Sequence, residues 1–160
     1  MPTIADLLGV GHCENWDGES YADSITDGMN AGRSSLVISQ MAHVCQRSAR
    51  FDDWLYVRTY HDGFHLFDKE MLFNIKDDPY EQHDVKEKYP EICAKGAKII
   101  LDWHDEQMLK SDSQIDPMWT VIREGGPFHT AGYLESYIKR LEETGRKDGA
   151  DRLREKYLKK

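Results

Sequence analysis

The feature that most limits the fold is a series of short segments in which apolar and polar residues alternate with the two-residue period of a β-strand. The segments are residues 35–39, 44–51 and 54–60, followed by 64–67 and 71–75, which can add one or two further strands. Asp52-Asp53 and His61-Asp62-Gly63 have the composition of turns, so consecutive strands are expected to pair as hairpins. The sequence therefore predicts a small antiparallel sheet of about four strands.

Helical periodicity replaces strand periodicity from residue 90 onwards. Pro90 opens a segment whose apolar residues recur at three- and four-residue steps, with Gly96 among them. Glycine inside a helix costs about 1 kcal/mol relative to alanine unless close packing requires it. Two further helices are predicted, one with an apolar stripe over 134–141 and one over 148–158. The predicted fold class is therefore α+β, with the small antiparallel sheet packed against C-terminal helices.

The first 32 residues have a different character. A short helix is predicted near the start, with Thr3 as its N-cap, Asp6 as the carboxylate partner and Gly9 at its end. Residues 11–32 are rich in Gly, Asp, Asn and Ser and are expected to form a loop. A helix this short is marginal in water, so its apolar residues are expected to need a partner surface from a larger protein.

Charge and composition exclude several classes of partner. The chain has 160 residues, of which 29 are acidic and 21 basic, giving a formal net charge of −8. That charge opposes attraction to nucleic-acid phosphates and anionic lipid, so neither nucleic acid nor a membrane is an expected partner. No apolar run approaches the roughly 20 residues that cross a bilayer, and the first residues lack a signal-peptide pattern. The compartment stays open, with the cytoplasm favoured. The three cysteines are interpreted as free thiols.

The candidate substrate-binding residues are His43, Arg47 and His129. His43 and Arg47 lie at the beginning of the second predicted strand, where a histidine and an arginine can hold an oxyanion by charge-assisted hydrogen bonds. His129 lies just after Gly125-Gly126-Pro127. Two glycines followed by a proline restrict the backbone to an unusual conformation, so His129 is expected to lie on a loop of defined shape. Plainer alternatives stay open: Arg47 can pair with an acidic residue, and Gly-Gly-Pro can simply end a helix.

A second histidine group has the residue types of a zinc site. His61, Asp62 and His65 could be metal ligands, since imidazole and carboxylate both bind zinc. The turn propensity of Asp62-Gly63 favours a solvated hairpin tip instead. We therefore predict no metal ligand and no catalytic residue in this chain.

Several motifs occur in an order that resembles the C-terminal region of the sulfatases, in the alkaline-phosphatase-like superfamily. The most specific of them is the stretch 70–81, EMLFNIKDDPYE, which is similar to the family's E-L-Y-D-L-x-x-D-P-x-E. The others are 2–9 (PTIADLLG), 17–20 (DGES), 47–51 (RSARF) with 54–56 (WLY), Pro90-Glu91, Trp103 and Gly125-Gly126-Pro127. The resemblance thus extends over nearly the whole chain.

The resemblance implies a role within a larger enzyme. Family members use a Cys or Ser in a C/S-x-P-x-R motif, oxidised to formylglycine, together with Ca²⁺ or Mg²⁺, and this sequence contains no such motif. The resemblance therefore implies that residues 1–32 are a remnant of the catalytic domain and that residues 33–160 form a C-terminal subdomain. This subdomain is expected to form part of the wall of the substrate pocket and to need no cofactor itself. The chain alone is expected to be inactive. Its implied partners are the N-terminal catalytic domain and, through it, a sulfate-ester small molecule or sugar.

Three other interpretations stay open at the sequence level. The parent could be a related phosphodiesterase or phosphonate hydrolase, because the same superfamily includes both. The chain could be a non-catalytic interaction or sugar-binding module. An independent metal hydrolase built from the seven histidines would require several of them to converge with carboxylates in one pocket.

Overall fold

The chain divides into two structural units, with the boundary between Ser34 and Ser35. The computed structural model describes residues 1–13, 16, 18–29 and 32–159. The origin of residues 1–32 in a catalytic domain remains a prediction.

The first unit contains two short helices, α1 (Pro2–Leu7) and α2 (Ala22–Thr26). The prediction that Thr3 caps α1 is wrong, because α1 already begins at Pro2, a residue suited to the first helical turn. The Thr3 hydroxyl instead accepts a hydrogen bond of 3.0 Å from the backbone N–H of Tyr21. α2 lies inside the segment predicted to be a loop. With five residues and no side-chain cap, it is too short to leave a periodic signal. Asp17, the first residue of the 17–20 motif, lies outside the described residues.

The second unit begins with a four-stranded antiparallel sheet in the order β1-β2-β3-β4. The strands are β1 (Ser35–Gln40), β2 (Cys45–Phe51), β3 (Trp54–His61) and β4 (Glu70–Asn74). A row of directly paired residues crosses all four strands and places Val37, Ala49, Tyr56 and Leu72 on one face. The prediction of a small antiparallel sheet is confirmed.

Helix α3 (Pro90–Lys110) covers that face of the sheet. Its buried residues Cys93 and Ile100 join Ala49, Phe51, Tyr56 and Leu72 in the main hydrophobic core. Gly96 lies where the helix comes nearest to the sheet, and a Cβ atom there would be only 2.5 Å from Cβ and Cγ of Tyr56. Close packing is therefore the reason that glycine occupies the middle of this helix.

Three further helices complete the chain: α4 (Pro117–Arg123), α5 (Leu134–Glu143) and α6 (Lys147–Leu158). α5 and α6 build a second core from residues of both helices and Phe64 of the β3–β4 connection. α4 was not predicted, although its sequence carries a start signal. The Asp116 side chain accepts a hydrogen bond of 3.0 Å from the Met118 N–H, and Pro117 follows at the first helical position.

The architecture is α+β, as predicted, with a sheet backed by helices that follow it in the chain. Within the part of the chain that the structure describes, no helix combines the length and apolarity needed to cross a membrane.

Candidate functional site

Arg47 lies in the interior of the second unit. Its guanidinium donates to both carboxylate oxygens of Asp116 at 2.8 Å and to the hydroxyl of Ser39 at 3.2 Å. Its Cζ lies 5.2 Å from the centre of the Trp103 ring, in the geometry of a cation–π contact. The side chains of Arg47 and Asp116 are 6% and 5% exposed, so this is a buried ion pair. The pairing joins β2 to the N-cap of α4.

His104 adds a third group to this buried pair. Its Nε2 lies 3.3 Å from a carboxylate oxygen of Asp116. That nitrogen is shielded from solvent and is not aligned for a hydrogen bond with any described residue. The neighbouring Asp105 carboxylate lies 3.6 Å from the other ring nitrogen. His104 therefore packs against the buried carboxylate of the Arg47–Asp116 pair.

His43 and His129 come together on the surface, as a pair. Their ring centres are 5.7 Å apart, and His65 joins them with its ring centre 6.2 Å from that of His129. All three side chains are exposed. His129 Nε2 lies 3.3 Å from the carbonyl oxygen of Gly63, which ties the 125–132 loop to the β3–β4 connection. No hydrogen bond or ion pair among the described residues joins Arg47 to either His43 or His129.

Gly63 makes the histidine group sterically feasible. It has φ of +61°, and a Cβ atom there would lie 2.1 Å from the carbonyl oxygen of His43. Only glycine allows the two backbone segments to approach this closely. Gly126, with φ of +92°, lies in the same way against the ring of His61, where a Cβ atom would be 2.6 Å away. These two glycines position the loops that carry His43 and His129.

Asp62 is buried, and the prediction of a solvated hairpin tip at 61–63 is wrong. Asp62 is 1% exposed and accepts hydrogen bonds from Lys156 Nζ at 2.6 Å, from the Tyr157 hydroxyl and from the Phe64 N–H at 3.0 Å. Burial opposes its ionisation, but the hydrogen bonds from Lys156 and Tyr157 outweigh that effect and lower the pKa of Asp62. The donors come from α6, almost at the other end of the chain, so no local pattern could reveal them.

The neighbours of Asp62 respond to the same environment. Burial, followed by the hydrogen bond to Asp62, raises the pKa of the Tyr157 hydroxyl. Burial lowers the pKa of His61, which therefore favours the neutral imidazole. Among the described residues, no group of three or more His, Cys, Asp or Glu side chains is arranged to hold a metal ion.

A groove of about 1230 Å³ opens beside the Asp62 network. Its walls are the end of β3, the β3–β4 connection, α4, the loop before α5, and α6. The groove is lined by aromatic side chains, including Tyr60, Phe67 and Trp119, and by the cations Lys69 and Arg152. Sequence reasoning missed this feature, because its walls come from segments that are far apart in the chain.

Comparison with known proteins finds similar folds among solved structures. No protein-family model matches the chain. No curated protein matches it either. The solved structure of BT4656 in complex with its substrate D-glucosamine-2-N,6-O-disulfate matches with a TM-score of 0.54 and 17% identity, covering 71% of this chain and 24% of that one.

Two further solved structures match less closely. One is yidJ from Bacteroides fragilis, assigned to the sulfatases, with a TM-score of 0.47, 14% identity and coverage of 73% of this chain and 24% of that one. The other is a protein of Bacteroides thetaiotaomicron, from work on glycosaminoglycan metabolism, with a TM-score of 0.47, 17% identity and coverage of 62% and 23%. The chain spans about a quarter of the length of these structures. It shares its fold with part of BT4656.

Proposed function

We propose that this chain forms the C-terminal part of a sulfatase-type sulfuric ester hydrolase. The observation that carries the proposal is the fold shared with BT4656, whose solved complex contains a sulfated sugar as substrate. The motif order in the sequence points to the same family independently of that match, since it rests on residue types rather than on backbone geometry. In this proposal residues 1–32 belong with the catalytic domain and 33–160 form the C-terminal subdomain.

The contribution of this chain is substrate-pocket wall. The exposed imidazoles of His43 and His65 can each donate an N–H group to sulfate or hydroxyl oxygens of a substrate. His129 lies beside them with Nε2 facing the Gly63 carbonyl, so its ring has a second N–H for a substrate oxygen only when it is protonated. Arg47 contributes indirectly, because its guanidinium is already bound by Asp116 and Ser39. It holds β2, and with it the segment that carries His43, in a fixed position relative to α4.

The proposed partner is an N-terminal catalytic domain that holds the formylglycine and the divalent cation. Those groups would supply the nucleophile and neutralise charge on the ester. Exposed apolar side chains support a protein partner for the second unit: Phe128 is 92% exposed, and Leu36 and Ile38 are 40% and 47% exposed on edge strand β1. Apolar side chains grouped on one exposed strand are typical of a surface that a partner covers.

The test uses the whole reading frame that contains this chain, assayed with Ca²⁺ or Mg²⁺ on an aryl sulfate, an aryl phosphodiester and an aryl phosphonate. We expect hydrolysis of the sulfate ester only. A His43→Ala, His129→Ala variant is expected to raise KM for a sulfated sugar, while Lys98→Gln, on the exposed face of α3, leaves it unchanged. Hydrolysis of the phosphodiester or phosphonate alone would replace the sulfatase assignment, and sulfatase activity of the 160-residue chain by itself would refute the division of roles.

A further inference from the structure

The last turn of α6 is less firmly packed than the turns before it. Leu153 is fully buried and belongs to the second hydrophobic core, and Arg154 pairs with Glu142 of α5 at 2.7 Å. From residue 155 to residue 159 the side chains are exposed, except for the half-buried Tyr157. The last turn of a helix opens readily when few buried contacts hold it.

The contacts that hold this turn lead to the end of β3 and the connection that follows it. Lys156 Nζ donates to Asp62 at 2.6 Å and to the carbonyl oxygen of Phe67 at 3.2 Å, and the Tyr157 hydroxyl donates to Asp62. The Tyr157 ring packs against His61 and Phe64, with ring centres 5.7 and 5.4 Å apart. The segment 61–67 therefore fixes the position of the last turn.

The same turn forms one wall of the groove. Glu155, Lys156 and Tyr157 line it, together with Trp119 and Ile122 of α4. Release of the turn from β3 would remove this wall from a space of about 1230 Å³. The contact at Asp62 thus controls access to the groove.

His61 responds to acid at this contact. Burial lowers its pKa, and although the Asp62 charge opposes this effect, Lys156 and His129 add to it. His61 is therefore neutral while the turn is in place. Once Lys156 and Tyr157 have moved away, the pKa of His61 rises towards its ordinary value. The released form therefore binds more protons below about pH 6.5 and is favoured as the pH falls.

Asp62 responds in the same direction at lower pH. Burial opposes its ionisation, but the hydrogen bonds from Lys156 and Tyr157 outweigh burial and lower the pKa of its carboxyl. Release of the turn removes both donors, so the released form again binds more protons in acid. Both groups thus favour release as the pH falls, His61 first and Asp62 below it.

We propose that acid releases the last turn of α6 from the end of β3 and so opens the groove. Protonated His61 places a cation next to Lys156, and protonation of Asp62 then removes the anion that holds Lys156 in place. Every group in this device belongs to the second unit. The inference therefore stands or falls independently of the sulfatase proposal.

The experiment is backbone amide hydrogen exchange of the 160-residue chain, detected by NMR between pH 7.5 and pH 5 and corrected for intrinsic exchange rates. Residues 155–158 report on the last turn, and residues 96–103 of α3 serve as the internal reference. We expect protection of 155–158 to fall by up to about tenfold per pH unit below about pH 6.5, the limit for one linked proton, and protection of α3 to fall less.

Two variants assign the effect to the groups named. His61→Asn keeps an acceptor for the Gly63 N–H, which lies 3.2 Å from Nδ1 of His61, but it cannot be protonated. It is expected to abolish most of the fall in protection between pH 6.5 and pH 5. Asp62→Asn removes the charge that holds Lys156, so it is expected to lower protection of 155–158 already at pH 7.5.

His83→Asn is the matched control, because His83 is an exposed histidine that lies 3.5 Å from Asp78, outside the groove lining. It should keep the full pH dependence. If His61→Asn does not fold, as judged by circular dichroism, His61→Phe replaces it, since it keeps a ring beside Phe64 and Tyr157. Protection of 155–158 that is independent of pH or falls in step with α3 would overturn the proposal. So would an unchanged pH dependence in the His61 variant, or unchanged protection in Asp62→Asn.

Discussion

Replacing Gly96 with alanine is expected to destabilise the protein, although alanine is the better helix former by about 1 kcal/mol. The reason is the contact between α3 and the sheet. A Cβ atom at position 96 would lie 2.5 Å from Cβ and Cγ of Tyr56 and 2.9 Å from its Cδ1. Carbon atoms pack at about 3.5–4.0 Å, so the helix or the tyrosine must move by about 1 Å.

The magnitude follows from what can move. Tyr56 is fully buried, and the clashing atoms are those nearest its backbone, so rotation of the ring does not relieve the overlap. Overpacking of a core costs about 1–3 kcal/mol, and a contact that shifts backbone belongs in the upper half of that range. Subtracting the gain of about 1 kcal/mol in helix propensity leaves a net loss of about 1–2 kcal/mol. For a chain of this length, that lowers Tm by about 2–8 °C.

Gly149 provides the matched control for this substitution. It is also helical, in α6, but a Cβ atom there would meet only the side-chain tip of Leu141 at 3.7 Å, an ordinary contact. Gly149→Ala should therefore hold or raise Tm. Thermal unfolding followed by circular dichroism, with urea titration for the free energy, compares the two variants. A Gly96→Ala protein as stable as Gly149→Ala would refute the close-packing argument.

Three further substitutions test the buried polar groups and the turn. Arg47→Met is expected to cost about 3–5 kcal/mol in urea unfolding, because it leaves the buried Asp116 carboxylate without its guanidinium partner and with the Met118 N–H as its remaining hydrogen-bond donor; a loss below about 1 kcal/mol would contradict this. Asp62 has a lowered pKa in the folded state, so the unfolded chain binds more protons in acid and stability falls as pH drops through that pKa. In the Asp62→Asn variant, Tm should therefore fall less steeply with decreasing pH than in the unmodified protein. If Tm falls equally steeply in both proteins, Asp62 is not the source of the acid sensitivity. Gly63→Ala should lower Tm more than Gly145→Ala, since both have positive φ but only the first meets a backbone carbonyl; equal effects would remove the steric argument.

The sheet and its helices were predictable because their signals are local. Period-two alternation identified all four strands within a few residues, and the apolar stripes identified α3, α5 and α6. Residues 64–67, which were also a candidate strand, lie instead in the β3–β4 connection. The short helices α2 and α4 were missed for different reasons. α2 has too few residues for periodicity, whereas α4 carries an Asp116-Pro117 start that a closer inspection of caps would have found.

The candidate site was less predictable, because tertiary contacts decide it. Sequence reasoning chose His43, together with Arg47, for oxyanion binding and His129 separately for its glycine-rich loop, and it did not predict that the two histidines meet. His65 lies beside His129, whose Nε2 faces the Gly63 carbonyl. The burial of Asp62 depends on donors from α6 that no window of sequence around residue 62 contains. Residues with strong turn propensity can therefore lie in the interior when distant partners satisfy them.

The Asp62 network also sets an order of events during synthesis. Its donors Lys156 and Tyr157 follow it by 94 and 95 residues, so at about 5–20 residues per second the ribosome delivers them about 5–20 seconds later. Until then the carboxylate has to stay hydrated, because an unpaired buried charge is too costly, and the end of β3 remains open. The final turns of α6 thus hold the segment around Asp62 in place once they have been synthesised. A nascent chain that stops a few residues early would keep its sheet but present an open strand end to chaperones and proteases.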